Sequence, residues 1–187
     1  MLHAPGRAPE LWFPADDIDA VTLHQASLKQ YPTSDDRLGT ALAGFRSLEP
    51  DAADRWFVED EPVYTHLRDP YHRVDVLPSH RHVLVEHAGT VIADTNRPRM
   101  LFETGLPPRY YVPWADVRLG LLELSDTVSP CPYKGEGQHW HLRIREQHLS
   151  DAAWSLPHPM VEAITAAEHV SFYQDKVTVT VNGDRLR

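Results

Sequence analysis

Between Leu101 and Lys134 the chain reads LFETGLPPRYYVPWADVRLGLLELSDTVSPCPYK. This stretch holds an acid (Glu103), a guanidinium (Arg109), three phenols (Tyr110, Tyr111, Tyr133), the only thiol (Cys131) and an ammonium (Lys134). Glycines and prolines interrupt it, so these groups fall at strand ends and turns, from which side chains can converge on one pocket. Glu103 closes an apolar segment, where desolvation would suit it to proton transfer; an ion pair with Arg109 or Arg99 that holds the loop is the other reading. Arg109 and Lys134 could grip a carboxylate, the first by a two-pronged hydrogen bond and the second as a point charge. Arg109 could equally cap a carbonyl or pair with Glu103. On a strand, Arg109 and Tyr111 point one way and Tyr110 the other, so only one of these tyrosines can share the arginine's pocket.

Cys131 lies between Pro130 and Pro132, near Lys134, whose charge would favour a reactive thiolate; a small apolar filler is the alternative. A cysteine nucleophile also wants an imidazole base, and His139 and His141 are close in sequence. His139-Trp140-His141 and His80-Arg81-His82 each place two imidazoles on one strand face. If those strands were neighbours, the four rings could hold a divalent ion, although so short a pattern arises readily among twelve histidines. Trp140 and Trp154 suit a core or a pocket wall that favours a flat or apolar ligand portion.

The elements that must position these groups read mostly as short strands. Arg81–His87 alternates, with Val83 and Val85 on one face and Leu84 on the other. Ala88-Gly89-Thr90 then turns the chain into Val91–Ala93, a hairpin pattern. Met100–Glu103, Arg109–Val112, Val117–Leu124, Gln138–Arg145 and Lys176–Val181 are further strand candidates, as are residues 56–58 and 63–67 on either side of the acidic EDEP. Two segments carry helical spacing. Residues 35–48 place Leu38, Leu42, Phe45 and Leu48 on one face. Pro159–His169 places Met160, Ile164 and Ala167 together behind a proline suited to a first turn.

Composition excludes several classes. A net charge of −9 without a basic stripe argues against nucleic acid as a partner. Sixteen prolines favour turns and short strands over long helices. One cysteine cannot form an intramolecular disulfide and suits a reducing compartment. Residues 1–13 lack the continuous apolar segment of a secretion signal, and no window approaches the ~18 apolar residues of a membrane helix, so a cytoplasmic protein is expected. At 187 residues the chain suits one domain plus an appended piece, large enough to fold without a structural metal.

An imperfect repeat accounts for that piece. Residues 9–18 (PELWFPADDI) parallel residues 108–117 (PRYYVPWADV), and Gly44-Phe45 and Trp56–Val63 have weaker echoes near Phe172-Tyr173 and Val177–Gly183. The upstream interval is 47 residues against 69 downstream, a difference that roughly matches the block Cys131–Trp154. Residues 1–65 thus read as a half-module packed on a complete domain over 66–187, since half a module cannot bury its own apolar face.

Several strings together resemble a known family: Tyr71-His72-Arg73-Val74-Asp75, Arg81-His82-Val83, Phe102-Glu103-Thr104-Gly105-Leu106-Pro107, Arg109-Tyr110-Tyr111, Asp116-Val117, Cys131-Pro132-Tyr133-Lys134-Gly135, Trp140 and Ala153-Trp154-Ser155. They resemble the DUF427 proteins, and the partial upstream copy is similar to the two-module actinobacterial members. The resemblance implies a mostly β fold of β-tent type, with antiparallel sheets and one or two short helices. It implies no particular reaction. A nucleotidyltransferase label attached to the family finds no Walker-type glycine loop or paired aspartates here. The zinc site that β-tent relatives build from cysteine pairs cannot form with one cysteine. Where the family usually carries small residues, then a tyrosine and a serine, this chain has Glu136-Gly137-Gln138-His139-Trp140-His141; His80 stands where serine is common. These departures suggest a site retuned for a particular ligand.

The expected function is a cofactor-independent enzyme acting by acid–base chemistry on a small organic substrate, with a carboxylate-bearing one among the candidates. Isomerisation, cyclisation, elimination and hydrolysis all fit, in a biosynthetic setting. The expected reacting groups are Glu103, Lys134, Tyr133 and Cys131. The expected ligand contacts are Arg109, Tyr110, Arg81, His139, His141, Trp140 and Trp154, with no metal and no cofactor. The alternatives are a non-catalytic small-molecule-binding module and a histidine-liganded metal enzyme. No nucleic acid or membrane partner is expected, and a monomer or homodimer fits equally.

Overall fold

A computed structural model describes residues 12–14, 29–30, 45–47, 56–63, 65–66 and 68–186. The chain divides into two compact units, Met1–Pro70 and Tyr71–Arg187. In the first, β1 (Trp12–Pro14), β2 (Lys29–Gln30) and β3 (Phe45–Ser47) form an antiparallel sheet in the order β1-β3-β2. A separate hairpin joins β4 (Trp56–Val58) to β5 (Glu61–Val63). The helix expected over 35–48 is therefore contradicted at its end, because Phe45–Ser47 is extended. Glycines 39 and 44 weaken helical propensity there, while strands on both sides of β3 take up its backbone hydrogen bonds. Residues 35–44 lie outside the described residues. The strand expected at 63–67 instead begins at Glu61, because Glu59, at φ +53°, opens a tight turn inside the acidic run.

The second unit holds eleven strands: β6 (Val74–Pro78), β7 (Val83–His87), β8 (Thr90–Thr95), β9 (Arg99–Glu103), β10 (Arg109–Pro113), β11 (Leu122–Cys131), β12 (Gly135–Ile144), β13 (Gln147–Pro159), β14 (His169–Phe172), β15 (Thr178–Val181) and β16 (Asp184–Arg185). They form a seven-stranded sheet, β11-β12-β13-β14-β10-β9-β6, and a four-stranded sheet, β16-β15-β7-β8. Every pairing is antiparallel, as a mostly β chain rich in turns requires. The β7–β8 hairpin turns through Ala88 (φ +48°) and Gly89 (φ +74°), a two-residue connection whose twist matches its strands.

The large sheet is packed on both faces. One face joins the small sheet in a core that includes Val83, Val85, Ile92, Val112, Leu142, Val170 and Phe172. The other face holds Val74, Val76, Leu101, Tyr111, Tyr133 and Leu156 together with Ala163 and Ala166. Those two alanines come from the segment expected to be a helix at Pro159–His169. It is a 3₁₀ helix, Val161–Ala166, and Pro159 ends β13 rather than opening a helix. Three residues per turn put Ala163 and Ala166 on one face and leave Ile164 56% exposed, contrary to the α-helical spacing. The strand expected over Val117–Leu124 is also broken. Val117 makes one bridge to Ala93, Leu119–Leu121 is a 3₁₀ turn, and β11 starts only at Leu122. Among the described residues no helix is long and apolar enough to cross a membrane.

Candidate functional site

Strand alternation decides what faces the second core. Glu103 pairs with Val74, Leu101 with Val76 and Arg109, and Arg99 with Tyr111, so Leu101, Glu103, Arg109 and Tyr111 share one face. Tyr111 stands opposite Ser171, and Ser171 opposite Trp154, a row across three strands. The small serine between the two rings lets Trp154 Nε1 reach over it and donate to Tyr111 Oη at 2.9 Å. Trp154 in turn pairs with His139, and across the next strand Gly137 pairs with Ser129 and Gly135 with Cys131. Two glycines on one face of β12 leave that part of the sheet uncovered, and a cavity of about 220 Å³ opens over it.

Glu103, Arg109, Cys131 and Lys134 all line this cavity, with Tyr111, Trp154 and Tyr173 as aromatic walls and Leu101, Leu106 and Leu156 as apolar ones. Lys134 arrives on the turn after β11. Gly135, at φ +92°, follows it, and a Cβ there would lie 2.7 Å from the His158 carbonyl oxygen. The turn is fastened by the Met160 amide, which donates to the Lys134 carbonyl at 3.0 Å. From it Lys134 Nζ donates to Glu103 Oε2, and His72 Nε2 lies 3.1 Å from Glu103 Oε1. The Glu103 side chain is only 7% exposed, so both of its oxygens are held inside the fold. Arg109 stacks over Trp154 at 5.5 Å, and among the described residues it has no carboxylate partner. Burial pushes the Tyr111 phenol far above its ordinary value and raises that of Tyr173 as well, so both rings stay neutral.

The other expected residues are placed as follows. Tyr133 is buried and stacks on His72 with ring centroids 4.0 Å apart, supporting that imidazole rather than facing the cavity. Tyr110 and Trp140 are on the opposite face, packed against the first core; Trp140 meets Trp114 edge to face and donates to Ser155 Oγ at 2.9 Å. Period-two alternation sends them there, and it excludes them from the cavity. Arg81 is exposed ahead of β7 and is not among the lining residues. His141 accepts the Asp151 amide at 3.0 Å beside His148, away from the cavity. His139 is buried behind Ser129, its Nε2 2.9 Å from Ser129 Oγ. The two histidine pairs do not meet. His82 is held by Asp94 at 2.7 Å, and among the described residues no three His, Cys, Asp or Glu side chains are arranged to hold a metal. Sequence reasoning missed His72, Ser129 and Tyr173 as members of the site.

A family model described as a domain of unknown function (DUF427) matches residues 75–183. The chain belongs to that DUF427 family. No curated protein matches it. The DUF427 match covers every described residue lining the cavity but begins three residues after His72, the imidazole beside Glu103 Oε1. Among the described residues, those lining the cavity all belong to the second unit.

Proposed function

We propose that the chain is a cofactor-independent enzyme acting by acid–base chemistry on a small carboxylate-bearing molecule. The observation that carries this reading is a guanidinium without a carboxylate partner among the described residues and a nearly buried carboxylate facing one cavity, the carboxylate held between an ammonium and an imidazole. Arg109 takes the substrate carboxylate by two parallel hydrogen bonds, and Trp154 and Tyr173 flank the rest of the molecule. Glu103 exchanges the proton, and His72, 21% exposed at its side chain, relays it towards solvent. Lys134 faces negative charge as it develops on the substrate, and Cys131 lines the same cavity. The cavity is below the roughly 300 Å³ at which drug-sized sites begin, which limits the substrate to a compact molecule.

The first unit is, on this proposal, a shortened copy of the second. Support comes from register: Trp12, Phe13 and Pro14 pair with Ser47, Arg46 and Phe45 as Tyr111, Val112 and Pro113 pair with Ser171, Val170 and His169, which sets Phe45 against His169 and moves the weaker echo at Phe172-Tyr173 by four residues. Each unit also carries a hairpin whose two-residue turn opens at positive φ, at Glu59 and at Asn182. Among the described residues, a hairpin like β11–β12, which brings Cys131 and Lys134 to the cavity, is found in the second unit alone.

The test is incubation of purified protein with a metabolite extract, followed by untargeted mass spectrometry, for the wild type and Glu103→Gln. A compound consumed by the wild type and spared by a folded Glu103→Gln variant supports the enzyme. Equal consumption by both removes Glu103 from its role. The contact of Lys134 with Glu103, which neutralises both charges, favours a second reading, a binding module. Recovery of one intact small molecule on the protein, with nothing transformed, selects it.

A further inference from the structure

We propose that Ser129 and His139 form a second reactive pair in this cleft, a hydroxyl nucleophile with its imidazole base, so that the substrate carries an ester or thioester besides its carboxylate. This rests on the reading of the cleft as a catalytic site for small carboxylates. Three independent features point to it. Ser129 lines the cavity from the edge strand β11, whereas the ring that touches its hydroxyl lies behind it and is only 7% exposed. The residue opposite Ser129 is Gly137, and a Cβ there would sit 2.8 Å from Ser129 Oγ, so the missing side chain keeps room for the hydroxyl. Finally, His139 Nδ1 is buried without a hydrogen-bond partner among the described residues. His169 Nδ1 is in the same state, so the unpartnered nitrogen counts only together with the contact of His139 Nε2 with the cavity-lining Ser129 hydroxyl.

The surroundings suit a base. Burial holds the His139 imidazole below its ordinary value, so the ring is neutral and can accept a proton near pH 7. The Asp151 carboxylate favours the imidazolium once formed, the Lys176 ammonium opposes it, and the Tyr173 ring stacks on the imidazole at 6.0 Å. In the acyl transfer, a bond forms between Ser129 Oγ and the acyl carbon while the hydroxyl proton passes to His139 Nε2. The bond to the alcohol or thiol then breaks, the leaving group departing with the electron pair and taking that proton. Water attacks the acyl-serine by the reverse path, releasing the acid and restoring Ser129.

The experiment uses a fluorophosphonate probe on the full chain. Its phosphorus–fluorine bond breaks as the Oγ–phosphorus bond forms, and intact-mass and peptide-mapping spectrometry count and place the adduct. The wild type should gain one adduct at Ser129, and Ser129→Ala none. His139→Gln should label about a hundredfold more slowly or less, as loss of a positioned base requires. Gly137→Ala should slow labelling at least about tenfold with little change in thermal midpoint, since only a serine side chain has to move; this variant stands if His139→Gln fails to fold. No adduct at Ser129, or labelling indifferent to both His139→Gln and Gly137→Ala, overturns the pair. Dependence of turnover on Glu103 is measured separately. Failure of labelling with that dependence intact refutes the pair alone, and labelling with turnover indifferent to Glu103→Gln refutes the acid–base reading alone.

Discussion

Removing the charge of Glu103 while keeping its shape tests the arrangement on which the site depends. In Glu103→Gln the amide can still meet His72, but Lys134 Nζ loses the carboxylate it donates to. Their side chains are 7% and 19% exposed, so the pair is shielded without being fully dry. A hydrogen bond to a charged group contributes about 1.5–3 kcal/mol, and breaking a fully buried ion pair from one side costs about 3–5 kcal/mol. Partial exposure of the lysine places the expected loss near the lower range, at about 2 kcal/mol. For a chain of this size that corresponds to a fall of roughly 4–8 °C in thermal midpoint. Lys134→Met leaves Glu103 with His72 alone, and the double variant should recover about 1 kcal/mol or more relative to the sum of the single losses. Guanidinium denaturation followed by tryptophan fluorescence and by far-ultraviolet circular dichroism measures all four proteins. Single losses within about 0.5 kcal/mol of zero, or additive losses, would mean that the two side chains do not meet, and the site as described would fall.

Other outcomes follow from the same geometry. His139 and His169 both have imidazoles lowered by burial, so the unfolded chain takes up protons first as pH falls below about 6.5. Stability should therefore be flat above that pH and decline below it, by up to about 1.4 kcal/mol per pH unit for each ring, and His169→Gln should flatten the slope; thermal unfolding between pH 5 and 8 checks this. Gly135→Ala puts a Cβ against the His158 carbonyl at positive φ, and should cost at least about 2 kcal/mol, read by denaturation and by weakened ligand binding. Tyr111→Phe strips the acceptor from the half-buried Trp154 indole, and should destabilise by about 1 kcal/mol in the same denaturation assay.

Much of the site was legible because strand alternation is a local property. That Arg109 and Tyr111 share a face and exclude Tyr110 follows from period two, and the structure places them so. The Ala88-Gly89 hairpin was equally plain, since its turn demands residues that accept positive φ. The contact of Glu103 with Lys134 needed the chain to return across 31 positions, and turn residues alone suggest that such a return exists without fixing its register. His72 could not be read at all. It precedes β6 in an irregular segment, and only the pairing of Val74 with Glu103 brings it to the carboxylate. Ser129 and His139 meet on a diagonal across β11 and β12, which requires knowing that Ser129 faces Gly137. The 3₁₀ segment at Val161–Ala166 misled because alanines at i and i+3 carry little periodic signal, while the exposed Ile164 mimicked a core position.

The account turns on whether the cleft takes a carboxylate at Arg109. Calorimetric titration of the wild type and Arg109→Gln with a panel of compact carboxylic acids, each beside its amide, measures this. At least one acid should bind the wild type about 10–100-fold more tightly than it binds the variant, while its amide shows no such difference. Acids and amides that bind both proteins alike, or no acid that binds at all, would contradict it.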